Sequence, residues 1–359
     1  MGNEEVYEIL RQKIDESPRM DMPKTDEIME ILRMRFTPEE AEIGGYLSSD
    51  YYKSATAEEV AEQSGKDVEY VRSTLERMLD KGSIFWLNAK DGERFCLMPV
   101  FGFFEIPFAD GKNDPETRKL AGLWEEFFRK DGTKSLTTPG YRWARVLPAS
   151  KQTIDIQQKL DQKSVVLTWE NAKEYVKAAE EHGRKMALVN CSCRVAFQHC
   201  DHPIDACIAI GSAAEFFIRR KKALRELNAE DTLKVLKRNL ESGLVLMTNN
   251  MQHGQDFICS CCSCCCGLLR SVVEWPGNDV VEKSNFIPVR DENLCTQCGI
   301  CIEKCQFNAW DDNLNLDEEK CYGCGACEVN CPEDAITMKK VRDLVPERNP
   351  HSAWQQVKR

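Results

Sequence analysis

No apolar stretch in this 359-residue chain approaches the roughly twenty residues that a membrane-spanning helix needs. The opening Met1-Gly2-Asn3-Glu4-Glu5 is acidic and lacks the apolar run of a secretory signal. Val6 stands where a myristoylation signal would want Ser or Thr. An excess of basic residues is missing too: 59 Asp and Glu face 48 Lys and Arg, for a net charge of −11. That removes the electrostatic footprint for nonspecific binding to nucleic acid or to an anionic membrane. There is no G-x-x-x-x-G-K-[ST] loop for nucleotide phosphates and no G-x-G-x-x-G behind a strand, and Gly111-Lys112 lacks the upstream glycine. The C-x3-C-x2-C triad of radical SAM enzymes occurs at no register, and no Ser–His–acid or paired-carboxylate arrangement stands out. Whatever chemistry the chain performs is left to metal centres.

What it has is sulfur. The 19 cysteines cluster at metal-ligand spacings. With no secretory start, the expectation is a cytoplasmic protein that keeps its thiolates for metal, most comfortably in an anaerobe. The surest stretch reads Cys295-Thr-Gln-Cys298-Gly-Ile-Cys301-Ile-Glu-Lys-Cys305, followed by Cys321-Tyr-Gly-Cys324-Gly-Ala-Cys327-Glu-Val-Asn-Cys331-Pro332. In each C-x2-C-x2-C-x3-C run, three thiolates on one tight loop cap three corners of a cubane, and the fourth ligates the other cluster. Cys295, Cys298, Cys301 and Cys331 are thus expected to hold one [4Fe–4S] cluster, and Cys321, Cys324, Cys327 and Cys305 a second. Zinc knuckles use C-x2-C pairs but need neither the third nor the fourth cysteine at this spacing. The stretch resembles the bacterial two-cluster ferredoxins over about fifty residues. Gln306 departs from that family, which has a proline there like Pro332, and the departure is expected to loosen one turn without removing a ligand.

Residues 1–24 are polar, with a short helix around Val6 to Ile14, and read as an arm. Ile28, Ile31 and Leu32 fall at helical spacing, and Thr37-Pro38 starts another helix. Thr56-Ala-Glu-Glu59 is a capping box, and Val68, Val71, Leu75, Met78 and Leu79 mark one face of a longer helix that ends at Gly82. Ile84–Leu87 and Phe95–Met98 flank a hairpin turn at residues 88–92. Thr56 to Met98 therefore resembles the winged helix-turn-helix superfamily. Its recognition helix, however, offsets Arg72 and Arg77 with Asp67, Glu69, Glu76 and Asp80, so docking to protein or a purely architectural role is expected rather than DNA binding. Cys96, alone on a strand, reads as a small buried hydrophobe.

The middle of the chain holds ten further cysteines. Val165–Trp169 reads as extended, 171–181 as a helix, and Met186–Asn190 as a strand running into Cys191-Ser-Cys193-Arg194. Cys200 and Cys207 follow, so that Cys191, Cys193, Cys200 and Cys207 form one possible set of four ligands. Ser212-Ala-Ala-Glu215 reads as a capping box, residues 230–241 as a helix, and Leu244–Met247 as a strand. The chain then reaches Cys259, Cys261, Cys262, Cys264, Cys265 and Cys266. These ten thiols predict one or two more iron–sulfur clusters, with zinc as the alternative and the ligand subset open. His199 and His202 flank Cys200 within ligating reach, although such histidines more often donate from beside a site or lie exposed on loops, and Arg194 is placed to donate to cluster sulfide.

The domains expected are an arm (1–24), a winged-helix-like domain (25–108), a Cys-rich α/β middle domain (109–284), a two-cluster ferredoxin domain (285–340) and a polar tail (341–359), an α+β multidomain chain. As a whole, from about Lys24 to Met338, it resembles 4Fe–4S dicluster-domain proteins of anaerobic bacteria, which implies an iron–sulfur electron carrier and no particular substrate. The leading expectation is transfer of low-potential electrons between redox protein partners. Eleven acidic residues against three lysines from Asp291 to Lys339 suit transient docking on a basic partner. The alternatives are an oxidoreductase subunit whose catalytic cluster lies in the middle domain, and a redox-responsive DNA-binding regulator.

Overall fold

The computed structural model describes residues 2–16, 21–89, 92–98, 100–132, 142–151, 171–274 and 280–346. They fall into two compact units, Met1–Pro139 with Val195–Phe197, and Gly140–Arg194 with Gln198–Gln356. No described helix is long and apolar enough to cross a membrane.

The first unit is helical, with one hairpin. Its elements are α1 (Asn3–Asp15), α2 (Asp26–Arg35), α3 (Pro38–Gly44), α4 (Ala57–Ser64), α5 (Val68–Lys81), β1 (Ile84–Ala89), β2 (Gly92–Leu97), α6 (Val100–Phe108) and α7 (Pro115–Phe127). Thr37 and Thr56 each close a capping box, with Glu40 and Glu59, and so fix the starts of α3 and α4. Gly82 ends α5 at φ +68°, a conformation that glycine alone adopts without strain. β1 and β2 pair antiparallel from Ile84↔Leu97 to Ala89↔Gly92, so the strands run closer to the tip than the sequence pattern indicated; Lys90 and Asp91 lie outside the described residues. Cys96 is buried on β2 opposite Phe85. α6 and α7 build an aromatic core in which Phe104 meets Trp124 at 5.6 Å and Phe128 at 5.4 Å. α7, at the head of the expected middle domain, packs on α2 within this unit.

The expected N-terminal arm is not free. Val6, Tyr7, Leu10 and Ile14 of α1 are buried, and the Tyr7 hydroxyl donates to the Phe36 carbonyl at 2.9 Å. Four apolar residues on one face outweigh the polar remainder, because only that face needs a partner. On α5, Arg72 pairs with Glu58 and Arg77 donates to Thr74 at 2.9 Å, while on β2 Arg94 pairs with Glu59 at 2.9 Å.

The second unit is organised by a seven-stranded sheet. Along the chain come β3 (Ala144–Val146), α8 (Ala172–Glu181), β4 (Met186–Asn190), α9 (Ser192–Phe197), β5 (Asp205–Ile210), α10 (Ser212–Arg219) and β6 (Arg225–Leu227). Then follow α11 (Ala229–Glu241), β7 (Val245–Asn249), β8 (Phe257–Cys261), α12 (Gly267–Val273) and β9 (Val281–Glu282). The strand order is β6-β4-β5-β8-β7-β3-β9, antiparallel throughout except for the β3–β9 pair. The middle region is therefore α+β rather than the α/β arrangement expected, since its helices connect antiparallel neighbours instead of crossing over between parallel ones. The expected capping box at Ser212 is not made: Gly211, at φ +64°, is the N-cap and Ser212 is already helical. The extended segment expected at Val165–Trp169 lies outside the described residues.

The last segment of this unit adds β10 (Phe286–Arg290), α13 (Ile300–Glu303), α14 (Ala326–Val329) and β11 (Ile336–Lys340), with β10 and β11 paired antiparallel. It shares a core with the sheet. Val329 on α14 sits in one apolar cluster with Leu188, Ile208, Leu246 and Ile258 from four strands.

If α1 is part of the first unit's core, Leu10→Ala should destabilise that unit by about 2–5 kcal/mol, the usual cost of emptying a fully buried leucine site. Urea unfolding monitored by tryptophan fluorescence reads this; an unchanged midpoint would restore the free-arm picture.

Candidate metal centres

Two short loops carry the C-terminal cysteines. Gly299 and Gly325, both at φ +77°, cap the one-turn helices α13 and α14 and let the chain curl around a cavity. One cavity is lined by Cys295, Cys298, Cys301 and Cys331, a second by Cys305, Cys321, Cys324 and Cys327. Four cysteines to each cavity fit the ligand set of an iron–sulfur cluster. The two differ in depth: Cys298 is exposed, whereas Cys321, Cys324 and Cys327 are buried. Burial pushes the Cys321 thiol up, and Cys324 up to about 12, so without metal these thiols stay protonated. Ligation needs thiolates, so loading the deeper cavity must release protons. Backbone N–H groups of Ala309 and Gly323 point at the Cys305 and Cys321 sulfurs, at 3.3 and 3.4 Å.

The deeper loop is wedged against the sheet domain. A Cβ on Gly325 would lie 1.8 Å from the Ala149 carbonyl oxygen, and one on Gly323 would lie 2.0 Å from that of Phe286. The Ala149 N–H donates to the Cys324 carbonyl at 3.0 Å. Lys151 donates from its ammonium group to the Cys331 carbonyl at 2.6 Å and pairs with Asp334.

The ten cysteines of the middle domain separate into two sets. Cys200, Cys262, Cys264 and Cys265 bring their sulfurs within 4.8 Å of one another, with Cys200 at 3.8 Å from Cys262 and 3.7 Å from Cys265. A tetrahedral ion with metal–sulfur bonds of about 2.3 Å places its thiolates about 3.8 Å apart, so this quartet has the dimensions of a single-ion site. A cubane spreads its ligands over four separate irons and needs a wider frame. A hydrogen bond from Cys265 lowers Cys262 to about 5 against its burial, with Arg194 adding to the effect. No imidazole enters the quartet; His199 Nδ1 instead lies 2.8 Å from the Cys264 carbonyl oxygen, the neighbouring role expected of it.

Cys191, Cys193, Cys207, Cys259, Cys261 and Cys266 form the second set. Cys191 contacts Cys193 and Cys207, Cys193 contacts Cys266, Cys266 contacts Cys261, and Cys259 joins Cys261 to Cys207. The six sulfurs thus close a ring. The grouping of Cys200 with Cys191, Cys193 and Cys207, attractive from proximity in sequence, is not what the fold makes, because the turn after α9 carries Cys200 to the loop beyond β8. Arg194 stands between the two sets. It donates to the Pro203 carbonyl at 2.8 Å, the Ser260 carbonyl at 2.9 Å and the Cys262 sulfur at 3.7 Å.

One residue joins the C-terminal module to the quartet. The Gln306 side-chain oxygen accepts from the Ser263 N–H at 2.8 Å and from its hydroxyl at 3.0 Å, and its amide nitrogen donates to the Gly243 carbonyl at 3.1 Å. Gln306 follows Cys305, and Ser263 separates Cys262 from Cys264. A glutamine that departs from the ferredoxin pattern is thus a clasp rather than a loosened turn, a role no local sequence signal announces.

The 4Fe-4S binding domain family matches residues 288–311 and 314–337. The chain is similar to an archaeal-type glutamate synthase [NADPH] of Thermotoga maritima, 38% identical over 60 residues, covering 15% of this chain and 12% of the relative. It is also similar to pyruvate synthase subunit PorD of Methanothermobacter marburgensis, 33% identical over 76 residues, covering 20% of this chain and 94% of the subunit. The corresponding subunit of Methanocaldococcus jannaschii is 31% identical over 83 residues, with 21% and 94% covered. The chain therefore spans only about an eighth of the glutamate synthase it matches.

Gln306→Ala should cost about 1 kcal/mol by removing hydrogen bonds to half-buried partners. Hydrogen exchange at the Ser263 amide should accelerate with it, and unchanged protection would remove the clasp. Cys262→Ala should lower the content of tetrahedrally bound metal by one ion per chain, read by elemental analysis, while the signals of the C-terminal module persist.

Proposed function

Because the chain belongs, through its C-terminal module, to the 4Fe-4S binding domain family, we propose that it is an iron–sulfur oxidoreductase component in which that module serves a metal-bearing middle domain. In this reading Cys295, Cys298, Cys301 and Cys331 hold one [4Fe–4S] cluster, and Cys321, Cys324, Cys327 and Cys305 the other. When bound, such clusters store and pass single electrons. The observation that carries the reading is the Gln306 clasp, which ties the turn after Cys305 to the loop between two quartet ligands. An independent carrier has no need to fasten its deeper loop to a second thiol site. The similarity to a glutamate synthase and to pyruvate synthase subunits supports an oxidoreductase setting without naming a substrate.

The chain's own residues give the arrangement a direction. The Cys298 end is open, and of the eleven acidic residues from Asp291 to Asp334 all but Glu328 are exposed. Leu294, 52% exposed beside Cys295, adds an apolar contact within that acidic field. This face suits a basic redox partner, whereas the Cys324 end is sealed by Ala149 and the sheet. The quartet supplies a tetrahedral site for one zinc or iron ion. Thr56 to Met98 acts in this reading as a winged-helix-like architectural module, its Arg72 and Arg94 guanidinium groups already engaged by Glu58 and Glu59.

Anaerobic reductive titration tests the proposal. Two ferredoxin-type clusters take up about two electrons per chain. The expected result is a larger uptake, with the excess lost when middle-domain cysteines are replaced. An uptake of two electrons, unaffected by those replacements, would reduce the chain to a carrier.

A further inference from the structure

The six-thiol ring has no counterpart in the C-terminal module, and its geometry is set by the sheet. β4, β5 and β8 are neighbours, and Cys207 stands opposite Val189 on β4. The Ile208↔Ile258 pair brings the following position of β8, Cys259, beside Cys207 across the antiparallel ladder. Cys259 and Cys261 are two residues apart on one strand and so share a face. Cys191 at the end of β4, Cys193 on α9 and Cys266 before α12 complete the circuit. Four of the six, Cys191, Cys207, Cys261 and Cys266, are buried.

Two features say what such a ring would take. Among the described residues the quartet is the one set in which three or more sulfurs lie within 4.8 Å of one another; no three members of the ring do. Each ring sulfur contacts its two neighbours, but with no three mutually within 4.8 Å the ring does not close on a single tetrahedral ion. Every ring thiol has two thiol neighbours rather than one, and all six are free. The second feature is Arg194. Its side chain is only 2% exposed, and its Nη2 is buried with no hydrogen-bond partner. A buried N–H of this kind is costly unless an acceptor meets it. Beyond the Pro203 and Ser260 carbonyls, the groups that act on its charge are the thiols of Cys191 and Cys207 in the ring and Cys262 in the quartet.

We propose that Cys191, Cys193, Cys207, Cys259, Cys261 and Cys266 hold a polynuclear iron–sulfur centre, separate from the quartet and from the C-terminal clusters, with Arg194 Nη2 donating to its sulfur. Six thiolates exceed the four that a cubane uses, so the centre has ligands in reserve and room for more than one arrangement of iron. The cationic Arg194 offsets part of its negative charge where no water can. This proposal rests on the iron–sulfur reading of the chain but not on the course of electron flow.

The full-length chain, produced and purified without oxygen, provides the test. The C-terminal module accounts for about eight irons and the quartet for at most about one more, whereas a loaded ring raises the count to about twelve or above. In the Cys193→Ser/Cys261→Ser double variant that excess should disappear, together with matching acid-labile sulfide, while the EPR signals of the C-terminal clusters and the quartet ion remain. A wild-type count of about eight or nine irons, or an excess that survives the double replacement, overturns the proposal. Should the double variant fail to fold, Arg194→Gln decides, because it removes no ligand. The extra centre should then keep its iron but show a shifted EPR spectrum and midpoint potential, and Arg194→Lys should restore them in part. An extra-centre spectrum indifferent to both replacements removes Arg194 from the site. Uptake of only two electrons by a chain that carries the extra iron would sink the oxidoreductase reading and leave this one standing.

Discussion

β5 and β8 lie side by side in the second unit, with Ile208 opposite Ile258 and Ala209 opposite Phe257. They come from distant parts of the sequence, and their pairing brings Cys207 to Cys259 and the loop after β8 to Cys200. The segments that carry these thiols are too far apart in sequence for local structure to join. The ladder is held from behind by an apolar layer in which Leu188, Ile208, Ile258 and Leu246 pack on α8 and α11. As protonated thiols the cysteines are tolerable core residues. As thiolates they are tolerable only with a metal or a cation beside them, and the buried Arg194 supplies part of that charge. Folding of the sheet and occupancy of the sites are thereby linked.

The second unit is graded from surface to interior. At one end Cys298 is exposed among acidic side chains; at the other, Cys324 and Cys327 are buried and Val329 enters the sheet's own core. Gln306, Lys151 and the backbone of Ala149 fix that inner end. The module is thus a part of the second unit and not a bead on a linker.

How much of this could be read beforehand depended on range. The C-terminal module was legible because its ligands lie on two contiguous loops whose spacing is set by local geometry. Thr37 and Thr56 mark helix starts in the sequence because capping acts within one turn. Ser212 misled because Gly211, at positive φ, took the cap position. α1 reads as an arm by composition, since its polar residues outnumber its apolar ones, although the apolar ones share a face. The division of ten thiols into four and six was hidden for a different reason. It follows from strand register, and from a turn that sends Cys200 away from its sequence neighbours. Gln306 carried no signal either, because a hydrogen bond to a distant serine leaves no trace in spacing.

The two sets interleave along the chain. Cys259, Cys261 and Cys266 face one site, and Cys262, Cys264 and Cys265 the other, with adjacent residues divided at 261/262 and again at 265/266. A slip of one residue in β8 would turn every side chain to the opposite face. Metal arriving before the strand is registered would then meet a run of interchangeable thiols and could be trapped by the wrong combination. Maturation is therefore expected to follow folding, with inorganic cargo delivered to a sheet already in place. Discrimination between the sites lies in the geometry of the ladder, since the donor atoms are chemically identical.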